Sequence, residues 1–315
     1  MSKVIDLRLD FPPTAEDIAA TMKFYIMNKD AQGVANYRRI FGPRKAAAFG
    51  TDFEEMEKMS VELTPAEFDA FLQQGAEKIA VTVPEFEKEL DEAGVAWGLI
   101  DTPRNDRTAK IVSRLPNRLF GMAMVNPHKG MAAVRELERA VKELGFKAVY
   151  ASPYRYGIRA SDKKFYPIYA KAVELKIPVL IYTAMNYRTD LPMDVGRPLH
   201  LDQVAMDFPQ MKIVASCGGW PWIPELIGVA RRHRHVFIDT SSHRPKHLAT
   251  PGSGFEMLMQ FGNTLLQDRI VFASGAEDLG MPLREIIEEV RALPLKEHVK
   301  GKWLYQNALT LFESD

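Results

Sequence analysis

FKAVYAS (146–152), SDKKFYPIYAKAVELK (161–176) and PVLIYT (178–183) follow one another closely, and their order decides the fold. The outer two are short apolar runs rich in β-branched and aromatic residues, bounded like strands. The middle segment carries apolar residues at helical spacing, opens on a Ser-Asp cap and ends in Lys. Upstream lie VAWGLI (95–100), LFGMAMV (119–125) and the helical GMAAVRELERAVKELG (130–145), closed by a glycine. Downstream come KIVASC (212–217), VFIDT (236–240) and IVFAS (270–274), and VIDLRLD (4–10) opens the series. Eight such runs, each followed by helix, predict an α/β chain folded as a (β/α)8 TIM barrel. A doubly wound sheet fits less well, because no Gly-x-Gly-x-x-Gly follows the first strand. Residues 11–94 are too long for one strand–helix step and predict a helical insertion after strand one. A smaller insertion is expected over about 241–266. With no internal repeat and no linker-like tract, residues 1–315 read as a single domain.

Composition narrows the function. Of 315 residues 46% are hydrophobic and 26% charged, which excludes a disordered chain. Lys plus Arg, 41, equals Asp plus Glu, 41, so the overall basic balance that a nucleic-acid partner demands is missing. The lone cysteine excludes an internal disulfide and a multi-cysteine metal cluster. The opening MSKVIDLRLDFPP has no apolar stretch of signal-peptide type, and no run of about 18 apolar residues suits a membrane span. The expectation is a cytoplasmic protein with no membrane and no nucleic-acid partner.

A barrel places reactive groups at the C-terminal ends of its strands and in the loops that follow. Period-two alternation in the first strand puts Asp6, Arg8 and Asp10 on one face and Ile5, Leu7 and Leu9 on the other. The apolar face is expected under the helices and the charges inside the barrel. There the three either pair with one another or surround a substrate, and a cation held between acids is also an anion site. After strand six, Cys217, Gly218, Gly219, Trp220 and Pro221 suggest close backbone approach to a ligand, with Pro221 starting a helix. Cys217 is either a nucleophile or an inert buried thiol. After strand four, Tyr154 and Arg155 suit a planar or carboxylated molecule. The loop after strand five carries Tyr182, Tyr187, Arg188, Arg197 and His200, and that after strand seven carries His243 and Arg244. Arginines in several rim loops suggest an anionic ligand. His233 and His235 flank a helix end, where an imidazolium complements the dipole. Only His200 and His243 fall near the expected mouth.

Four stretches, FYPIYAKAVELKIPVLIYT, VAMDFPQMKIVASCGGWPW, HVFIDTSS and RIVFASGAEDLGMPL, resemble the amidohydrolase-related family. That branch of the amidohydrolase superfamily includes aminocarboxymuconate semialdehyde decarboxylase. The resemblance implies a (β/α)8 barrel. It also shows where this chain departs from the family pattern. The paired histidines that bind a divalent metal at the end of strand one fall on Arg8 and Asp10. The strand-five histidine falls on Tyr182, the strand-six histidine on Cys217, and the strand-eight aspartate on Gly275. No metal-ligand set transfers, so no cofactor is expected.

Three functions follow. The first is a metal-independent hydrolase of a small carboxylated or lactone substrate, or a decarboxylase of a small aromatic or enoic acid. Arg8 would be the electrophile or anion anchor, Asp10 the acid/base and Asp6 a third catalytic group. Arg155, Tyr154, Tyr182, Cys217, Gly218, Trp220, His243 and Glu277 would bind substrate, with amides around Gly218 as oxyanion donors. The second is a degenerate barrel that binds a ligand without turnover. The third holds a metal through Asp6, Asp10 and Glu277. Relatives suggest a homodimer, for which FDAFLQQ (68–74) offers an apolar helix expected to be exposed.

Overall fold

The computed structural model describes residues 3–28 and 31–313. Eight parallel strands pair in chain order: β1 Val4–Asp6, β2 Val95–Ile100, β3 Leu119–Met124, β4 Ala148–Ala151, β5 Val179–Tyr182, β6 Ile213–Ser216, β7 Val236–Asp239 and β8 Ile270–Val271. Beyond β8 the chain meets β1 again, with the Leu7 amide donating to the Phe272 carbonyl at 3.0 Å and Gly275 to Arg8 at 3.1 Å. These bonds bring the two ends of the sheet together, and the (β/α)8 barrel expected from the eight apolar runs is what the chain forms.

Register fixes which side chains face inward. Ile5 pairs with Trp97, Leu99 with Phe120, Met122 with Ala148, Tyr150 with Leu180, Val214 with Phe237 and Asp239 with Val271. Paired residues of parallel strands share a face, and those apolar side chains form one core cluster with contributions from all eight strands. The C-terminal helix Asn307–Phe312 adds Ala308, Leu311 and Phe312 to it. Trp97, near the start of β2, packs edge-on against Phe120 at 5.4 Å and Phe312 at 5.3 Å. The N-terminal end is therefore plugged by aromatic packing.

The first strand does not follow its expected alternation. Ile5 and Leu7 belong to the interior cluster instead of packing under the helices. The register shifts between Val4 and Ile5, regular strand ends at Asp6, and the chain turns over residues 7 and 8. Period-two reasoning fails where the extended backbone stops.

The described chain divides into two compact units: the barrel (Met1–Asp10, Glu89–Asn186, Asp194–Asp315) and a helical unit (Phe11–Lys88, Tyr187–Met193). In the helical unit, helix Ala15–Met27 starts with a Thr14–Asp17 capping box and helix Pro65–Ile79 with a Thr64–Glu67 box. Met22, Ile26, Ala46, Met56, Phe68 and Leu72 form its core. The expectation that FDAFLQQ is exposed is thereby corrected: Phe68 is 3% and Leu72 1% exposed. Helical spacing shows that a stripe is apolar without showing what covers it. No described helix is long and apolar enough to cross a membrane.

Candidate active site

Arg8 leaves β1 on the turn at residues 7 and 8 and reaches across the C-terminal mouth of the barrel. Its guanidinium donates to the Tyr150 hydroxyl oxygen at 2.9 Å and lies 5.0 Å from that ring's centre. Tyr150 faces inward from β4 and is buried. Burial opposes the Arg8 charge. The surrounding Tyr150, Cys217, Asp101 and Asp278 outweigh it, and its pKa is raised well above the ordinary value. Burial likewise raises the Tyr150 pKa, with Arg8 opposing that rise.

The three charges of the first strand do not form one ion-pair set. Asp6 Oδ1 accepts from the Arg8 amide and the Ser274 amide, each at 2.9 Å, so it latches the end of β1 to the segment after β8. Asp10 is half-buried, and its Oδ2 accepts from the Glu277 amide at 2.8 Å. Burial raises Asp10 to about 7 against the lowering effects of that bond and of Arg8. Asp6 is raised to about 6, again chiefly by burial. Near neutral pH Asp10 therefore exchanges a proton beside a fixed cation.

Across the mouth, Cys217 ends the β6 segment at φ +67° and is 6% exposed. Burial pushes its thiol up to about 11, so near neutral pH it is a thiol and no activated nucleophile. Its amide donates to Asp239 Oδ1 at 3.0 Å, the Gly218 amide to the Asp239 carbonyl at 2.8 Å and the Gly219 amide to the Thr183 carbonyl at 2.8 Å. The expected oxyanion donors around Gly218 are thus committed to holding the loop. The helix that follows begins at Ile223 with Pro224 in its first turn, rather than at Pro221. His243 is half-buried against Phe255, its Nε2 is 3.1 Å from the Cys217 carbonyl, and desolvation lowers its pKa.

On the β4–β5 side, the Tyr154 and Tyr182 rings lie 4.4 Å apart at 53°, and the Tyr182 hydroxyl donates to the Met185 carbonyl at 2.5 Å. Trp220 is half-buried, and its carbonyl receives the Met185 amide. The rim arginines do not converge. Arg155 is exposed, Arg159 pairs with Asp194, Arg197 with Glu225 and Arg244 with Glu289. Tyr187 and Arg188 belong to the helical unit, where Arg188 pairs with Asp190. His200 lies 3.1 Å from the Asp194 carbonyl. Glu277 is exposed, and its neighbour Asp278 accepts from Ser242 Oγ at 2.7 Å.

Among the described residues no group of three or more His, Cys, Asp or Glu side chains stands where it could hold a metal ion, the trio Asp6, Asp10 and Glu277 included. At Gly275, where the resemblance expects a carboxylate, φ is +58° and an added Cβ would sit 2.8 Å from the Ser242 amide nitrogen. That backbone is committed to glycine. Tyr150, Asp101 and Asp278 are the groups around Arg8 that sequence reasoning missed. Tyr150 was hidden inside an apolar run, where its inward-facing position on β4 was the available clue.

Five buried side-chain atoms lack a partner among the described residues. Four of them, Asp6 Oδ2, Ser152 Oγ, Ser216 Oγ and Asp239 Oδ2, fall at the C-terminal ends of β1, β4, β6 and β7. Unsatisfied buried polar groups are rare in folded proteins and call for an explanation. Their concentration at one end of the barrel gives that end the polar groups from which a candidate site can be built.

Comparisons with known proteins bear on the fold and the family. A curated relative, 2-keto-4-carboxy-3-hexenedioate hydratase of Sphingobium sp. (strain NBRC 103272 / SYK-6), is 28% identical over 133 residues, 36% of this chain and 39% of the relative. The match thus spans about two fifths of the hydratase's length. Among solved structures, an uncharacterized TIM-barrel protein from Bordetella bronchiseptica has a TM-score of 0.69 at 23% identity, covering 98% of each chain. The 5-carboxyvanillate decarboxylase of Sphingomonas paucimobilis has a TM-score of 0.63 at 16% identity, covering 99% of each. Both share the fold. The amidohydrolase family model matches residues 50–313, most of the barrel strands among them, and the chain belongs to the amidohydrolase family of enzymes.

Proposed function

We propose that the protein is a lyase-type member of its family that acts on a small carboxylated substrate, with Arg8 supplying the positive charge that a metal supplies elsewhere. The observation that carries this reading is the Arg8–Tyr150 pair at the mouth, with Asp10 poised near 7 beside it. A charged guanidinium repels a dication, and the donor set around it does not fit a resident metal.

In decarboxylation, Asp10 delivers its proton to the carbon that loses CO2. The carbon–carbon bond breaks, its electron pair takes that proton, and water reprotonates Asp10. As the bond breaks, the electron pair delocalises onto a conjugated oxygen of the substrate before it takes the proton, and Arg8 and Tyr150 hold that oxygen, so their contribution grows toward the transition state. Hydrolysis is less well supported, because the amides of residues 217–219 already have acceptors. The hydratase relative favours a second reading, addition of water across the double bond of an enoic acid by the same pair.

The test is a panel of small aromatic and enoic acids followed for CO2 release and for loss of conjugated absorbance without CO2. The first readout supports decarboxylation and the second hydration. Arg8→Met is expected to lower turnover by about a hundred- to a thousandfold with the fold intact. Full activity in that variant would sink the proposal. A homodimer remains part of this reading and is tested by light scattering.

A further inference from the structure

Two of the unsatisfied atoms, Asp239 Oδ2 and Ser216 Oγ, lie on adjacent strands, and register turns both residues inward. Both residues are completely buried. The other oxygen of Asp239 is saturated: Oδ1 accepts from the Cys217 amide at 3.0 Å, the Ser241 amide at 2.9 Å and Ser241 Oγ at 2.7 Å. Three donors clamp the carboxyl group in one orientation and leave its second oxygen bare. A bare acceptor in a dry interior is costly unless something donates to it. Asp6, within electrostatic reach of Asp239, carries an unfilled oxygen of its own, so a negative ligand group is disfavoured there and a donor is favoured.

We infer that Asp239 and Ser216 form a subsite that reads a hydrogen-bond donor on the substrate, so that the preferred substrate carries a hydroxyl as well as the acid group. This rests on the anion-site reading of Arg8. Asp239 and Ser216 are specificity-determining: the carboxylate accepts the substrate hydroxyl's proton in a hydrogen bond, and Ser216 can accept or donate.

The experiment measures binding of benzoate and the three monohydroxybenzoates by calorimetry to the full chain, to Asp239→Asn and to Ser216→Ala. The Asn side chain keeps an oxygen for the three clamping donors and turns the bare acceptor into a donor. In the wild type at least one hydroxylated acid is expected to bind about ten- to a hundredfold more tightly than benzoate, as a hydrogen bond to a charged group gives. Asp239→Asn is expected to bring that ratio close to one. Ser216→Ala is expected to reduce the ratio while leaving Tm unlowered, because no described group bonds to the hydroxyl it removes. Equal binding of all four acids, or an unchanged ratio in Asp239→Asn, overturns the subsite while Arg8 binding stands. Such a result would mean that the open oxygens are met internally, by water or by a proton shared with Asp6. Binding of none of the acids overturns both this inference and the anion-site reading.

Discussion

At the N-terminal end of the barrel Trp97, Phe120 and Phe312 meet edge to face. At the C-terminal end β1, β6 and β7 finish in Asp6, Ser216 and Asp239 and Ser152 follows β4, each with an unfilled polar atom, and at that end a guanidinium rests on a phenol. One end is closed by close-packed apolar area, which lowers the free energy of folding roughly in proportion to the surface removed from water. The other keeps buried polar groups that folding alone leaves incomplete. The contrast teaches that stability and chemistry are assigned to opposite ends of one sheet, so substitutions at the two ends should fail in different ways.

The largest effect is expected at the plugged end. Trp97→Ala removes a ring from that contact and should cost about 3–5 kcal/mol in chemical denaturation, without altering the pH dependence of whatever activity remains. A loss below about 1 kcal/mol would show that the plug is not the main closure.

At the open end, Gly275→Ala should cost about 1–3 kcal/mol, because a left-handed backbone and the Ser242 amide both oppose a Cβ. Unchanged Tm would mean that the loop after β8 is looser than its contacts indicate. The same substitution explains why a carboxylate cannot simply be restored there.

Asp10→Asn is the finer probe of the open end, where the effect is on pH dependence. With its pKa raised to about 7, Asp10 is protonated below that pH and loses the proton above it. If it is the proton donor, kcat/KM should fall about tenfold per pH unit above 7, and the variant should lack that limb. The raised value has a stability counterpart of definite sign. The folded state binds the proton more tightly than the unfolded chain, so this group's contribution declines as pH rises from about 4 to about 7. A limb that persists unchanged in Asp10→Asn would assign it to another group.

Much of the architecture could be read from the chain. Eight apolar runs separated by helical patterns located all eight strands, because that periodicity is set by burial on both faces of a parallel sheet. The site was legible in part. Arg8 was picked out as a charge in an apolar run, and it does reach the mouth. It does so by a turn after a three-residue strand, so Ile5 and Leu7 point inward where alternation had placed Asp6. Tyr150 looked like one more core residue, because what distinguishes it is an arginine 142 positions away in sequence. The rim arginines gave the opposite error, since pairing with Asp194, Glu225 and Glu289 is invisible until the loops are folded.

The most direct test is elemental analysis of the purified protein while it turns over a small carboxylic acid. With Arg8 as the fixed cation, zinc, manganese and iron should together fall far below one equivalent per chain, with activity indifferent to chelator. One equivalent of a divalent ion, lost together with activity on chelation, would contradict the account.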